Sequence, residues 1–447
     1  METGLVSNSI QQQDDEASRA DAIYRKVSWR LIPFLFLCYA LSFMDRINIG
    51  YAQLQMRQDL DINEAIYGLG AGIFFIGYLL FEVPSNLMLE RYGARKTIAR
   101  IMFMWGLVSA TMAFVRTPTE FYVVRFLLGV FEAGFFPGVI LYLTYWYPSA
   151  RRSSVVAVLM TSLVVSGVVA GPSSTAIMTG LHDALGFRGW QWMFLLEGLP
   201  SSVIAVAAFF YLTDKPADAN WLTTDEKAFL IRQVDNDKKL HGEPARSSWA
   251  GGVFRNPRIY VLVAINFAVM AGGYSLTFWF PLIVKSFGVK DILHVGLYAV
   301  IPNCLGAVAM IGWGRRSDRK LERRWHFACG ALVAAGGFFA LTFSNGSLVM
   351  ALISLCVAYM GMAAITPLFW SVPTVMLSRS SAAVGIALIS SVSQLGAAFA
   401  PWMIGVIKLR TGSFQYGLGV IAVLLVLSAI LMIAAIPVHA VRERRAS

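Results

Sequence analysis

The sequence predicts an all-α membrane protein of twelve transmembrane helices in two six-helix pseudo-repeats. Three observations carry this. Of 447 residues, 57% are hydrophobic and only 14% charged, with a mean hydropathy of +0.61, whereas soluble domains average about 25% charged. The apolar residues form continuous runs of about 20, long enough to cross a hydrocarbon core as helices, not the alternating ten-residue segments of a membrane barrel. An acidic-basic loop also recurs at matching places in the two halves of the chain.

Apolar runs between charge clusters give the elements in order. Six spans fall near 29–52, 66–89, 98–115, 120–146, 153–180 and 190–213. A polar stretch from Asp214 to Pro257 interrupts the pattern, and one short amphipathic helix is expected there with Thr224 as N-cap. Six more spans fall near 258–284, 293–313, 325–343, 347–376, 382–408 and 414–438. The chain therefore divides into a tail 1–22, a first bundle 23–213, a linker 214–257, a second bundle 258–440 and a tail 441–447. The first tail holds Gln11-Gln12-Gln13-Asp14-Asp15-Glu16, too polar for the core of a cleavable signal peptide. It is expected to be disordered, and the first helix to be a retained span.

The net charge of +11 suggests nucleic acid in a soluble protein but orientation in a membrane protein, because Lys and Arg collect on the cytoplasmic side. Assigning alternate loops to alternate sides puts 28 of the 37 Lys and Arg with the two tails and the linker and 7 opposite; Arg46 and Arg125 remain inside spans. Both termini are thus expected to be cytoplasmic, in a bacterial inner membrane. Cys38, Cys304, Cys329 and Cys356 lie in apolar runs without metal-type spacing and read as core residues, with no disulfide framework and no metal. No HExxH, GxSxG or phosphate loop is present, so neither an enzyme nor a cofactor is expected. A non-transporting carboxylate receptor would need an output domain, for which the linker is too short.

The repeated loop reads Glu90-Arg91-Tyr92-Gly93-Ala94-Arg95-Lys96 after the second span and Gly314-Arg315-Arg316-Ser317-Asp318-Arg319-Lys320 after the eighth. Aligning Glu90 with Asp318 gives an offset of 228, which carries Trp29 onto Pro257, each at the start of a half. A site between two such halves is expected. In each loop a carboxylate beside Arg, with Gly93 permitting a tight turn, can latch neighbouring helices. Glu90, Arg91, Gly93, Asp318 and Arg319 are the candidate latch residues. The pattern resembles the loop of the major facilitator superfamily, Gly-x-Leu-Ala-Asp-Arg-x-Gly-Arg-Lys, with Asn86 in place of its leading Gly, Glu90 for Asp, and Ala94 displacing the basic pair. The second copy keeps Gly314, Asp318 and Arg319. The resemblance runs from about Tyr24 to Arg442 and implies alternating-access transport.

Charges inside spans cost at least about 2.5–3.5 kcal/mol and mark function. The first span carries Asp45 and Arg46, adjacent and so pointing about 100° apart toward different partners. The fourth carries Arg125 and Glu132, seven apart and so on one face. These pairs resemble the anion:cation symporter family. That resemblance implies that Arg46 and Arg125 hold an organic anion and that Asp45 and Glu132 take the coupling protons, sodium being the lesser alternative. Phe43 stands where sugar-acid members have Tyr, which argues against a highly hydroxylated sugar acid. Segments 77–86, 189–198 and 369–374 resemble the tartrate and 4-hydroxyphenylacetate permease branch.

Tyr78, Gln394, Tyr274, Trp370 and Ser371 are candidate substrate contacts, and Trp279 a further pocket aromatic. Glu82 and Glu197 read as structural, and His294 as a surface residue. Gly68 and Gly72, Gly134 and Gly138, and Gly167 and Gly171 have helix-packing spacing. Residues 167–172 partly resemble a motif of proton-coupled drug antiporters, but Thr175-Ala176 replaces its closing Gly-Gly. A drug antiporter is accordingly the alternative to a proton-coupled importer of a small carboxylate, expected to work as a monomer in the bilayer.

Overall fold

The computed structural model describes residues 2–241, 256–320, 322–344, 346–376 and 379–436, and within them all side chains except those of 2–17, 90, 238, 240, 241, 374, 375 and 379–384. Twelve helices among these residues are long and apolar enough to cross a membrane. The first span is α1 (Glu2–Ile47) continued by α2 (Ile49–Asp59). Next come α3 (Glu64–Tyr92), α4 (Ala94–Thr111), the pair α5 (Pro118–Glu132) and α6 (Phe135–Thr144), α7 (Ser149–Gly180) and α8 (Gly189–Tyr211). The linker carries α9 (Thr224–His241). The second half holds α10 (Pro257–Ser286), α11 (Ile292–Tyr298) with α12 (Val300–Lys320), α13 (Arg324–Leu341), α14 (Leu348–Met376), α15 (Arg379–Thr411) and α16 (Gln415–Ala435).

The same offset of 228 carries α3 onto residues 292–320, the combined bounds of α11 and α12, and α4, α5, α7 and α8 start within two residues of the positions matching α13, α14, α15 and α16. Local sequence sets many of these starts. Asn63, Thr117, Asn256 and Asp291 each accept a backbone N–H of the helix they open, and Pro118 and Pro257 occupy first-turn positions where no N–H is needed. Large apolar side chains such as Leu80, Val83, Phe210 and Val308 lie more than half exposed on the outside, a surface suited to lipid.

The fourth span is broken. Pro137 cannot donate to the carbonyl of Ala133, and its ring would collide with it, so the chain leaves the helix at Ala133 (φ −55°, ψ 134°) and re-enters after Gly134 (φ +83°). Gly134, expected to be a packing residue, therefore supplies a left-handed turn; a Cβ there would also lie 2.5 Å from the Ser85 hydroxyl. The break leaves Glu132 as the last residue of α5, in the middle of the span.

The two halves meet most closely on the side away from the chain termini. A Cβ on Gly50 would lie 2.9 Å from the Thr277 carbonyl oxygen, and Cβ atoms on Gly68, Gly72 and Gly171 would run into the backbone of Pro401, Ala398 and Gly296. Gln53 donates to the Phe278 carbonyl oxygen at 2.6 Å, Tyr67 to the same oxygen at 3.3 Å, and Lys285 to that of Leu54 at 3.0 Å. Pro281 leaves the Thr277 carbonyl without its helical partner.

The linker helix docks on the first half through Lys26 and Glu226 (2.7 Å), Asp237 on the backbone N–H of Ser149 (3.0 Å), and Phe229 on the Tyr24 ring. Three expectations change here. The tail expected to be disordered is helical from Glu2, because the polar run contains no helix breaker. The cap of α9 is Thr223, not Thr224: Thr223 Oγ1 accepts from the Glu226 N–H, and Glu226 returns a bond to the Thr223 N–H. Cys38 is in the core, but Cys304 and Cys329 are exposed, as an apolar run in a membrane has a lipid face as well as a protein face.

Candidate functional site

Adjacent residues Asp45 and Arg46 point to different neighbours. Arg46 Nη2 donates to Glu132 Oε1 at 2.5 Å and Nη1 to the Tyr274 hydroxyl at 3.2 Å. Ser42, one turn before Arg46, donates to the same Glu132 oxygen at 2.8 Å. The guanidinium carbon lies 5.4 Å from the ring centres of both Phe74 and Tyr78, where the ring faces attract a cation. Glu132 is fully buried and Arg46 keeps 15% of its side chain exposed. Arg46 is thus one cation in contact with both halves, and its partner Tyr274 is its own counterpart under the 228-residue offset. Two residues later in each half, Asn48 joins α1 to α2 and Leu276 continues α10 toward the tight contact at Gly50.

Arg125 is fully buried and turned toward α3, donating to the Gly70 carbonyl at 3.2 Å and that of Ala71 at 3.4 Å. Its Nη1 has no partner, and its guanidinium lies 5.1 Å from the Phe74 ring, on which Arg46 also packs. The seven-residue spacing puts Arg125 and Glu132 on one helix, but the ion pair of Glu132 is with Arg46. Asp45 faces α4 and α8, accepting from Trp105 Nε1 at 2.9 Å, Ser109 at 3.0 Å and Ser201 at 3.1 Å.

The other candidates are spread around this centre. Tyr78 is buried beside Arg46, and Tyr274 packs edge-on against Phe75 at 4.4 Å. Gln394 lies half-buried on α15 with Oε1 unpartnered. Trp370 packs on Phe369, and Ser371 returns a bond to the Leu368 carbonyl. Trp279 is wholly buried against Tyr67, and His294 is exposed, paired with Asp291.

The latch candidates are also spread. The Glu90 side chain lies outside the described residues. Gly93 adopts φ +90°, and the backbone N–H of Arg95 beyond it donates to Asp214 Oδ1 at 2.8 Å. A carboxylate from the linker therefore caps α4, favourably placed at a helix N-terminus. Arg91 is exposed and lies over Tyr92; Asp318 lies 3.8 Å from Arg323, and Arg319 is exposed beside Arg315 and Arg316.

Ser42, Asp214, Glu82 and Glu197 escaped the sequence reading as site residues. Glu82 sits one turn after Tyr78 on the same face and accepts from Ser391 of the other half at 3.2 Å. The i, i+4 spacings Ser42/Arg46 and Tyr78/Glu82 were the available signal.

The family model for the Major Facilitator Superfamily matches residues 35–401. The chain belongs to that superfamily. It is 45% identical over 432 residues, 96% of this chain and 93% of the other, to a protein of Agrobacterium vitis named "Putative tartrate transporter". It is 36% identical over 414 residues, 92% and 94% of the two chains, to a quinolone resistance transporter of Acinetobacter baumannii. Its fold matches that of a bacterial homologue of the human lysosomal transporter Spinster, with a TM-score of 0.74 over 93% of this chain and 98% of that one at 17% identity. The protein is a multi-pass membrane transporter and not an enzyme, and the likeness to the tartrate branch drawn from its motifs agrees with its relatives.

Proposed function

We propose that this protein is a proton symporter that imports a small organic carboxylate, a tartrate-like dicarboxylate or an aromatic acid, across a bacterial inner membrane with both termini in the cytoplasm. The observation that carries the reading is the Arg46 guanidinium, held between Glu132 of the first half and Tyr274 of the second. In the membrane interior a cation so placed has two competing anionic partners, the Glu132 carboxylate and an incoming substrate. Protonating Glu132 releases the guanidinium for a substrate carboxylate, which it can hold through paired N–H bonds. Loss of that proton on the terminal side restores the ion pair and expels the anion. Coupling then follows from charge: the membrane interior tolerates one net anion beside Arg46, either substrate or Glu132, at a time.

Alternating access is supported by the uneven seam, tight at Gly50, Gly68, Gly72 and Gly171 on the side away from the termini. The name of the Agrobacterium relative favours a dicarboxylate. The name of the Acinetobacter relative favours a drug antiporter instead, but Arg46 and Arg125 suit an anion better than a lipophilic cation. Gln394, Trp370, Ser371 and Tyr78 complete the substrate site in this reading. The test is uptake into proteoliposomes of labelled tartrate, succinate, 4-hydroxyphenylacetate, phthalate, a sugar acid and a cationic drug, with and without an inward proton gradient. Gradient-stimulated uptake of an acid is expected; inert acids together with drug expulsion would overturn the reading.

A further inference from the structure

Asp45 has a second buried carboxylate for a neighbour. Glu197 of α8 is 6% exposed, accepts from Ser174 at 2.8 Å and Ser173 at 3.4 Å, and leaves Oε2 without a partner. It lies one turn before Ser201, which donates to Asp45 at 3.1 Å, so the two carboxylates sit on adjoining turns where α1 meets α8, near enough to interact electrostatically. Asn48, one turn after Asp45, is wholly buried and lies beside Glu197, its amide within reach of that carboxylate. The groups facing the pair are Trp105 and Ser109 of α4, Ser173 and Ser174 of α7, Ser201 of α8, and Asn48 and the Tyr51 hydroxyl from the first span. Among the described residues none of these is a cation; Arg46 is turned to Glu132.

We propose that Asp45 and Glu197 form a shared proton-binding site, separate from the anion site, that holds one proton jointly in the resting protein and takes up a second during transport. Two carboxylates buried without a cation cannot both ionise at acceptable cost, whereas one proton leaves a single negative charge solvated by the surrounding hydroxyl, indole and amide donors. The second proton neutralises the pair, and its release returns the pair to the singly charged form, so protons balance over a cycle. Asn48, able to donate through Nδ2 or accept through Oδ1, suits a neighbour that gains and loses a proton. The inference rests on the proton-symport reading above; to the Glu132 proton it adds a second one, held by Asp45, which the family resemblance implies as a proton site, together with Glu197.

The test needs no transport, so its failure is distinct from failure of the symport reading. The infrared C=O stretch of protonated carboxyl groups is recorded at neutral pH in detergent-purified protein without substrate, for wild type, Asp45→Asn, Glu197→Gln and the double variant. A jointly held proton predicts that each single variant loses one carboxyl's worth of band, because the lone remaining carboxylate ionises among its donors, and that the double variant loses no more. A single variant that leaves the band intact, or losses that add in the double variant, would overturn the proposal. Loss of the band on adding sodium chloride would overturn it too, by making the cluster a cation site. Glu197→Asp keeps the charge and should keep the band, separating loss of the proton from loss of fold; if Glu197→Gln does not fold, full retention of the band in Asp45→Asn is sufficient to reject the idea.

Discussion

Arg46 and Arg125 flank the same ring, Phe74, at 5.4 Å and 5.1 Å, yet their surroundings assign them different work. Arg46 is partly exposed and bonded to groups that can exchange; Arg125 is sealed and bonded to two backbone carbonyls. Arg46→Ala should therefore remove anion binding, by about 10–100-fold or more for a lost charge-assisted contact, with the protein still folded. Arg125→Ala should weaken binding less and lower thermal stability more, because it frees the α3 carbonyls beneath Phe74. Binding by ligand-induced thermal stabilisation, beside the melting of each unliganded variant, checks both; the reverse ranking would make Arg125 the principal clamp. Glu132→Gln imitates the protonated carboxyl, so counterflow exchange should survive while gradient-driven accumulation is lost. Accumulation that survives Glu132→Gln and disappears in Asp45→Asn would move the coupling proton to the Asp45 side of α1.

Among the elements, the broken fourth span concentrates backbone cost at one residue. Gly134→Ala meets both a left-handed φ of +83° and the Ser85 hydroxyl, so about 1–2 kcal/mol of destabilisation is expected from the backbone alone, with a lower melting temperature and a displaced Glu132. The linker clamp is weaker. Slight burial works against ionisation of Glu226, but the Lys26 bond and the Thr223 N–H outweigh it and hold its carboxyl below the usual range. A carboxyl so lowered contributes stability above its unfolded pKa and loses it as pH falls through the folded value. Glu226→Gln should therefore speed hydrogen exchange in α9 at neutral pH and make little difference at acidic pH, for a surface pair worth about 0.2–1 kcal/mol. Span order and the loop repeat were legible because hydropathy and charge are one-dimensional signals. The break at Gly134 was legible only in part: Pro137 was visible, but a glycine four residues before Gly138 reads as packing until the backbone angle is known. The Arg46–Glu132 pair was hidden for a related reason, since helix periodicity orders groups within a span and says nothing about which neighbouring span they meet.

For the whole molecule, the offset of 228 residues has a mechanical consequence. Counterparts in the two halves meet at Arg46 with Tyr274 and at Gly50 with Phe278, so the first span (α1 and α2) and α10 cross near the local twofold axis, and the Arg46 guanidinium lies close to that axis. A rocking of one half on the other about this point leaves Arg46 nearly fixed while opening one side and closing the other. On the side away from the termini, the closed seam requires residues without side chains at Gly68 and Gly72, where the backbone of α15 comes too close for a Cβ. Gly72→Trp should wedge that seam apart without touching Arg46 or Glu132. In a protein with Cys38, Cys304, Cys329 and Cys356 replaced, a cysteine at Ser42 reports on access to the centre, since Ser42 bonds Glu132 directly. Gly72→Trp should increase labelling of that cysteine by an impermeant thiol reagent added outside and abolish gradient-driven uptake, while anion binding measured in detergent persists. Unchanged outside labelling in a folded Gly72→Trp protein would show that the glycine seam is not the barrier on that side and would remove it from the transport cycle.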